Sequence, residues 1–207
     1  EIEMPAHSEE VLAAYPQLSC AGEPYKNADF CIGNEETFTF LENVLTEVMA
    51  LFPSEYIHIG GDEAGMAAWK TCPKCQKRMK DEHLSHVDEL QSYLIHRIEK
   101  VVNKHGKKMI GWDEIIEGGL SKTSTVMWWR NWAPQSVPEA TAHGNDVIYT
   151  PATPFYFSQN EEKSSMRQVY DYDLAPASLS AAQRAHIIGV QANLWTEYIA
   201  DFGHVQH

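Results

Sequence analysis

The sequence is short of positive charge and has no long apolar run. Its 207 residues include 16 Lys and Arg against 29 Asp and Glu, which gives a formal net charge of −13. A surface of that sign repels nucleic acid and anionic membranes. No apolar stretch approaches the roughly 20 residues that a membrane-spanning helix requires. We therefore expect neither nucleic acid nor membrane as a partner.

Cysteine is also scarce, and its spacing leaves several interpretations open. The chain has four cysteines: Cys20, Cys31, Cys72 and Cys75. Cys72 and Cys75 have the spacing of half a zinc site, which His83 and His86 would complete. The favoured alternative is a turn at the start of a surface helix, with free thiols or a disulfide. Cys20 and Cys31 flank a loop with Gly and Pro and are close enough in sequence to form a disulfide of their own. We expect no cofactor and no metal.

Apolar residues recur in a pattern that alternates between helix and strand. Phe38, Leu41 and Leu45 follow the three- and four-residue spacing of an amphipathic helix, which Asn34 would cap and Pro53 would stop. The same reasoning predicts helices at 34–52, 83–104, 134–143 and 178–186. It predicts strands at 1–5, 55–59, 108–112, 125–129, 146–150 and 187–194.

This alternation indicates a parallel sheet, because parallel strands need long crossover connections. The strands are continuous apolar runs, as expected when both faces of a sheet are covered. Six strands in 207 residues fit a (β/α)8 TIM barrel that lacks two early strands, since a complete barrel typically needs ~250 residues. A doubly wound open sheet usually has a Gly-rich phosphate loop after its first strand, and none is found. We expect residues 1–207 to be a single catalytic-barrel segment of a longer protein.

Two adjacent carboxylates, Asp62 and Glu63, follow the glycine pair that ends the strand at 55–59. Carboxylate pairs carry out acid–base catalysis on sugars, but a nucleophile and an acid must lie ~5–5.5 Å apart across the scissile bond. Adjacent residues do not easily straddle a sugar in that way. A different division of roles is easier for adjacent residues. One carboxyl protonates the leaving oxygen, and the other orients a nucleophile that belongs to the substrate. A solvated loop is the non-catalytic alternative, and Asp113–Glu114, which lacks the glycine pair, ranks second.

Aromatic and polar residues mark most of the other predicted strand ends. These residues are His7, Trp112, Trp129, Tyr156, Trp195 and Glu197. In a barrel, the carboxyl ends of all strands meet at one face. Core packing explains any single tryptophan, but it does not require tryptophans to recur at strand ends. Aromatic rings bind the apolar faces of sugars, so the set favours a sugar site.

Four motifs indicate one family when they are taken together: HIGGDE, GWDEI, VMWWRNW and QANLWTEY. In this order and spacing they resemble the β-N-acetylhexosaminidases of glycoside hydrolase family 20, over almost the full chain. The resemblance implies a (β/α)8 barrel that hydrolyses terminal β-linked N-acetylglucosamine or N-acetylgalactosamine from glycans. It also implies a retaining mechanism in which the acetamido oxygen of the substrate is the nucleophile. The family is an exception to the two-carboxylate scheme.

The resemblance also implies a role for each matching residue. Glu63 is the general acid and then the base, Asp62 holds the acetamido N–H, and Tyr156 binds the acetamido oxygen. The substrate-binding residues are Trp112, Trp129 and Trp195, which wall the pocket, Glu197, which binds ring hydroxyls, and His7, which lies near the acid. His58 is interpreted as a core histidine.

Three departures from the family bear on these expectations. The mildest is Pro5-Ala6-His7, which stands where the family has PGH. Ser158 stands where the family has an acid that binds ring hydroxyls, so the gluco or galacto preference is open, with Gln159, Asn160 or Glu161 as substitutes. The family's substrate-binding arginine comes from an earlier strand that this sequence does not contain. Activity is therefore expected to need the remainder of the barrel or a partner chain, and a homo-oligomer is compatible with that.

Location and function class also have alternatives. The resemblance implies a secreted, periplasmic or lysosomal enzyme. A fragment that binds carbohydrate without turnover is one alternative function. A metal-dependent barrel hydrolase with His58, Asp62 and histidines elsewhere as ligands is another.

Overall fold

The computed structural model describes residues 1–158, 163–174, 176–199, 201 and 203. The chain divides into two compact units, Glu1–Thr125 and Val126–His207. Within the described residues, no helix combines the length and the apolar character needed to cross a membrane.

The first unit contains five α-helices, two strands and two 3₁₀ turns. The helices are α1 (Glu9–Ala14), α2 (Glu35–Leu51), α3 (Ala67–Thr71), α4 (Pro73–Asp81) and α5 (Glu89–Lys104). The strands are β1 (Tyr56–His58) and β2 (Lys108–Trp112), and the 3₁₀ turns are Pro16–Leu18 and Asp113–Ile116. The core between them includes Phe30, Phe38, Leu45, Trp69, Leu94 and Ile98, each nearly or wholly excluded from solvent.

Helix α2 confirms the helix predicted at 34–52, and its caps are the predicted ones. The side chain of Asn34 accepts a hydrogen bond from the backbone N–H of Glu36, which satisfies one of the free donors at the helix start. The apolar stripe of α2 packs against α5. Arg97 of α5 lies 3.7 Å from the ring centre of Phe38 and 2.9 Å from a carboxylate oxygen of Glu35, which fixes the two helices together.

Strands β1 and β2 pair in parallel, with Ile57 opposite Met109. They confirm the strands predicted at 55–59 and 108–112, the second with the same bounds. The strand end predicted at 1–5 is confirmed only as a single bridge to the residues that follow β1. The N–H groups of Ile2 and Met4 donate to His58 and Ile59, but only a single bridge from Met4 to Gly60 results. Beyond this bridge Gly60 and Gly61 have positive φ, so the partner backbone leaves the extended conformation that a ladder needs.

The helix predicted at 83–104 begins six residues later than expected, at Glu89. His83 has φ +57°, in the left-handed region that a helix cannot include. The N–H of Ser85 donates to the carboxylate of Glu89, so the intervening residues form a turn. The short helix α4 before this turn was foreseen only as a helix start at Cys72, which the structure confirms.

The second unit holds the strands β3 (Thr125–Trp128, whose first residue closes the first unit), β4 (Val147–Tyr149) and β5 (Ile187–Val190). Strand β4 lies between β3 and β5, and both pairings are parallel. The register slips by one residue between Val147 and Ile148 against β5. The three strands predicted in this part of the sequence are confirmed, each somewhat shorter than expected.

The helices of the second unit are α6 (Ser136–His143), α7 (Ala152–Phe155), α8 (Met166–Tyr170) and α9 (Ala181–Arg184), with a 3₁₀ turn at Thr196–Tyr198. Helix α6 packs on β4 and α9. Gly144 ends α6 with φ +94°, a left-handed cap. Ser180 and Gln183 form a capping box at α9, so this helix is shorter than the one predicted at 178–186 but has one of its two predicted caps.

Candidate active site

The Gly60–Gly61 pair carries the chain out of β1 through a turn whose backbone angles favour glycine at both positions. Both glycines have positive φ, +73° and +94°. A Cβ on Gly60 would lie 2.1 Å from Oε2 of Glu3, and one on Gly61 would lie 2.7 Å from Ile115. The carbonyl of Gly60 accepts from Trp112 N–H and that of Gly61 from the Gln91 side chain. This turn fixes the backbone immediately before the carboxylate pair.

Asp62 and Glu63 point to the same histidine. Nε2 of His7 lies 3.3 Å from Oδ2 of Asp62, within hydrogen-bond distance, and 3.4 Å from Oε2 of Glu63. The Asp62 side chain is 14% exposed, whereas that of Glu63 is 57% exposed. The structure therefore brings together three residues that the sequence predicted, with one acid shielded and the other open to solvent.

Glu63 is held in an unfavourable backbone conformation. Its φ is +50°, and Met66, three residues later, has φ +55°. Such angles in residues other than glycine persist only where surrounding contacts enforce them. Buried Asp29 supplies one such contact, because its Oδ2 accepts the backbone N–H of Met66 at 3.1 Å. Burial raises the pKa of Asp29, partly offset by hydrogen bonds from the backbones of Met66 and Gly65.

Beneath Asp62 lies a second carboxyl cluster, formed with Glu1 and Glu3. Burial, followed by the charges of Asp62 and Glu1, raises the pKa of Glu3 to about 9, so Glu3 is protonated at pH 7. Oε2 of Glu3 and Oδ1 of Asp62 are buried and receive no hydrogen bond from a fixed donor among the described residues. The single proton of a neutral Glu3, shared with Asp62, supplies the donor that these two oxygens lack.

His58 is a core histidine, as interpreted from the sequence. Burial lowers its pKa to about 3, so the ring is neutral. Nδ1 accepts the N–H of Gly60 at 3.0 Å, which places the ring proton on Nε2. Nδ1 also lies 3.2 Å from Oε1 of Glu1. Because the ring is neutral, that contact is not an ion pair, and burial raises the pKa of Glu1 above its usual value.

Trp112 occupies the environment of a core residue. It is 2% exposed, its ring packs edge-on against His58 at 4.8 Å, and its Nε1 donates to Oε1 of Glu1 at 2.6 Å. The rival pair Asp113–Glu114 lies in the following 3₁₀ turn and is also buried, at 0% and 7% exposure. Of the two acid pairs, only Asp62–Glu63 has a solvent-exposed carboxyl.

In the second unit, three predicted aromatic residues form one cluster. The rings of Trp129 and Tyr156 are stacked, with centres 6.2 Å apart and planes at 13°. The ring of Trp195 packs on Tyr156 at 6.0 Å. The backbone of Tyr156 is bridged to buried Asn193, whose carbonyl accepts Phe157 N–H at 2.7 Å. All three rings are partly exposed, unlike neighbouring Trp128, which is buried against Tyr149.

The remaining predicted residues of this unit are less constrained. Glu197 is exposed in the 3₁₀ turn Thr196–Tyr198, and Ser158 is partly buried. Gln159, Asn160 and Glu161, the predicted substitutes for the missing acid, lie outside the described residues. Trp132 was not predicted; it is 66% exposed and packs edge-on against Trp129 at 5.0 Å.

Sequence reasoning missed Glu3 and Asp29. Glu3 stands four residues before His7, but nothing local marks it as a buried acid. Asp29 acts on a backbone 37 residues away, a distance that no sequence pattern expresses. The metal-hydrolase alternative named His58 and Asp62 with histidines elsewhere; around Asp62, the ligand-type atoms that lie within 4.8 Å of one another belong to His7, Asp62 and Glu63, and His58 is not among them.

Comparison with known proteins gives one consistent family. The sequence model described as "Glycosyl hydrolase family 20, catalytic domain" matches residues 1–207. A Beta-hexosaminidase of Porphyromonas gingivalis is 42% identical over 96% of this chain and 28% of its own length. The structure of a beta-N-acetylhexosaminidase from Bacteroides fragilis covers 95% of this chain and 42% of its own, with 29% identity and TM-score 0.82.

A Vibrio harveyi exo beta-N-acetylglucosaminidase, solved in complex with N-acetylglucosamine, covers 96% of this chain and 34% of its own, with 26% identity and TM-score 0.81. This chain thus spans less than half the length of each of these three relatives. These structural neighbours imply a TIM barrel fold.

Proposed function

Because the chain belongs to glycosyl hydrolase family 20, we propose that the protein of which it forms the catalytic part hydrolyses terminal β-linked N-acetylglucosamine or N-acetylgalactosamine from glycans. The observation that carries this proposal is the arrangement at the end of β1. There, Nε2 of His7 lies within 3.4 Å of both the shielded carboxyl of Asp62 and the exposed carboxyl of Glu63.

We propose a retaining, substrate-assisted mechanism. The exposed carboxyl of Glu63 donates its proton to the glycosidic oxygen while the acetamido oxygen of the sugar attacks the anomeric carbon. The C–O bond to the leaving group breaks, and an oxazolinium-type intermediate forms. Glu63, now a carboxylate, removes a proton from water as the water opens the intermediate from the face that the leaving group vacated. Two inversions at the anomeric carbon give net retention.

Asp62 orients the acetamido group in this scheme. Its carboxylate accepts the acetamido N–H, which aims the carbonyl oxygen at the anomeric carbon and stabilises the positive charge that develops on the amide. A well-oriented internal nucleophile has an effective molarity of ~10⁵–10⁸ M. A positioned general acid contributes only ~10²–10⁴-fold. Residues that orient the amide therefore matter at least as much as the acid.

Support for Asp62 in this role comes from its surroundings. Protonated Glu3 hydrogen-bonds to Asp62, and His7 lies 3.3 Å from its other oxygen, so the carboxylate is fixed on two sides. Each carboxylate oxygen has two lone pairs, which leaves capacity for the substrate N–H. A neutral Glu3 also avoids placing a second full negative charge beside Asp62.

The aromatic residues supply binding in the proposal. Tyr156 donates its hydroxyl proton to the acetamido oxygen, and the rings of Trp129 and Trp195 contact the apolar face and methyl group of the sugar. Glu197 binds ring hydroxyls. Trp112 is nearly buried, so it contributes less to the wall of the sugar pocket than Trp129 and Trp195 do. Partly exposed rings that already pack on one another provide a preformed aromatic surface.

We infer further that the chain supplies about six of the eight strands of its barrel as one segment, counting β1 to β5 and the segment bridged at Met4, and that activity needs the remainder of that barrel or a partner chain. A crystal structure of the complete polypeptide tests the strand count. Secretion or delivery to a periplasmic or lysosomal compartment is likewise a proposal, which cell fractionation tests.

The decisive experiment compares chromogenic substrates. The complete polypeptide that contains this chain is assayed with the β-N-acetylglucosaminide, the β-N-acetylgalactosaminide and the β-glucoside of one phenol, and this chain alone is assayed in parallel. We expect turnover of one or both acetamido sugars and almost none of the glucoside. Equal turnover of the glucoside contradicts the proposal. Tight binding of an N-acetylglucosamine-thiazoline without turnover of any substrate would favour a carbohydrate-binding function instead.

A substituent series tests the mechanism itself. Successive fluorines on the acetamido methyl group make the carbonyl oxygen a weaker nucleophile without changing the glycosidic bond. If that oxygen attacks, the rate falls steeply along the series. An unchanged rate would mean that the protein or water supplies the nucleophile.

A further inference from the structure

The four cysteines of the chain meet in one cluster in the first unit, away from any role in the proposed reaction. The Sγ atoms of Cys20 and Cys75, of Cys31 and Cys72, and of Cys31 and Cys75 are each 3.7 Å apart. All four sulfur atoms lie within 4.8 Å of one another. Cys31, Cys72 and Cys75 are buried, and Cys20 is partly buried.

Two separate pieces of backbone deliver these sulfurs. Cys20 and Cys31 lie on either side of a loop whose ends are joined by an antiparallel bridge between Ser19 and Phe30. Cys72 caps α4 and Cys75 lies in its first turn. The two pieces touch at Gly33, where an added Cβ would lie 2.1 Å from the carbonyl carbon of Lys74. Only glycine permits that approach.

The spacing of the sulfurs excludes disulfides and suits a metal ion. A disulfide needs its sulfurs ~2.05 Å apart, and all four thiols are free. Four sulfurs placed tetrahedrally at the ~2.3 Å Zn–S distance are about 3.8 Å apart, close to the three distances above. A tetrahedral set of four thiolates is the donor set typical of zinc or iron.

We propose that Cys20, Cys31, Cys72 and Cys75 bind one Zn²⁺ in an all-thiolate tetrahedral site. Each thiol loses its proton to solvent as the ion binds, and no redox change is involved. With four protein ligands the ion has no open position, so its role is structural. The two histidines that the sequence offered as ligands, His83 and His86, are exposed and are not part of the cluster.

The site connects to the backbone that follows Glu63. The carbonyl of Phe30, next to Cys31, accepts the indole N–H of Trp69 at 2.9 Å. Asp29, two residues before Cys31, holds the N–H of Met66. By fixing the segment from Cys20 to Cys31 against α4, the ion would hold Asp29 in place to constrain the turn after Glu63.

The first test measures metal in the complete polypeptide that contains this chain, purified without a histidine tag or added chelator. We expect one zinc per chain by elemental analysis. Replacement by Co²⁺ is expected to give sulfur-to-cobalt charge-transfer bands and the intense visible bands of tetrahedral cobalt. Iron in place of zinc, a metal-free protein after expression with zinc, or disulfides among these cysteines in intact-mass analysis would each overturn the proposal.

Matched variants locate the ion. Cys31→Ser and Cys75→Ser are each expected to lower the zinc content well below one per chain. Lys74→Ala, an exposed change between two of the ligands, and His7→Ala, a change in the catalytic group, are expected to leave one zinc bound. Loss of zinc in His7→Ala but not in Cys75→Ser would place the ion elsewhere and refute the site.

A thiol titration on the unaltered protein covers the case in which the cysteine variants do not fold. The native thiols are expected to resist Ellman's reagent until a strong zinc chelator is added, and then to react together as one zinc is released. Four thiols that react freely before chelation would contradict the proposal. None of these readouts depends on glycosidase activity, so the failure of either proposal leaves the other standing.

Discussion

The carboxyl of Glu3 is hydrogen-bonded to the carboxyl of Asp62, and only a proton on Glu3 makes that contact favourable. The pair therefore behaves as one neutral and one charged group at neutral pH. The neutral member lies under the turn at Gly60, where its Oε2 would meet a side chain placed on that glycine.

Replacement of Glu3 by Gln is expected to change how stability depends on pH. The folded protein keeps the Glu3 proton up to a pKa of about 9, whereas the unfolded chain releases it near 4.5. Between those values the folded state binds one proton more, so the free energy of unfolding of the unaltered protein falls as pH rises. Glu3→Gln, which is always neutral, should match the unaltered protein near pH 5 and exceed it in stability near pH 9.

Urea unfolding at pH 5, 7 and 9 measures this difference, and Glu47→Gln, an exposed change on α2, is the control. A Glu3→Gln protein that is less stable than the unaltered protein at pH 9 would show that Glu3 is charged in the folded state.

Asp62→Asn is expected to lower kcat/KM for acetamido sugars by at least about 10²-fold, because a misdirected amide loses most of its effective concentration. The change is isosteric, so the free energy of unfolding should change little by comparison. Steady-state kinetics and urea unfolding of the same preparation measure both. Asp81→Asn, on α4 outside the catalytic group, should retain activity. Full activity of Asp62→Asn would remove this residue from the mechanism.

Tyr156→Phe separates the hydroxyl of Tyr156 from its ring. The ring contacts with Trp129 and Trp195 remain, so the fold of the aromatic cluster should persist. Loss of one donor to the acetamido oxygen, on which charge changes during attack, is expected to lower kcat by roughly 10²-fold. Kinetics with the acetamido substrates measure the loss. A change confined to KM would assign Tyr156 to binding alone.

Asp29→Ala should reduce both stability and activity although Asp29 is outside the reacting group. It leaves the partly buried N–H of Met66 without its acceptor, which costs about 1 kcal/mol in the free energy of unfolding, the low end of the range for a buried donor. The turn after Glu63 loosens as a result, and kcat falls. Asp29→Asn, which keeps an acceptor oxygen, is the matched control and should retain most of the stability and most of the activity. Equal losses in the two variants would mean that the carboxylate charge, not this hydrogen bond, is what matters.

The parts of the fold that sequence predicts are those governed by local rules. Helix α2 has a regular apolar stripe and explicit start and stop residues, and it appears where the sequence places it. The start of α5 was misplaced because His83 turns left-handed, and periodicity carries no record of backbone angles. Residues 1–5 were predicted as the end of a strand, but they make only one bridge, because the backbone of Gly60 and Gly61 leaves the extended conformation, which an apolar pattern does not record.

The residues of the candidate site also divide into those that a local sequence signal identifies and those that none does. Asp62, Glu63 and His7 were identified from motifs, and the structure brings them together. The cysteine cluster was not foreseen as a whole, because its partners are 41 to 55 residues apart and each half has an ordinary local explanation. The burial of Trp112 was not foreseen either, since sequence cannot distinguish a ring that faces a ligand from one that faces a histidine.

The left-handed backbone of Glu63 bears on how this protein can change. Glycine would adopt that conformation freely, so substitution by glycine at this one position relieves strain and removes the proposed acid in a single step. Laboratory selection for heat resistance alone would tend to accept that exchange. Selection that also requires catalytic turnover would have to accept stabilising substitutions elsewhere in the chain.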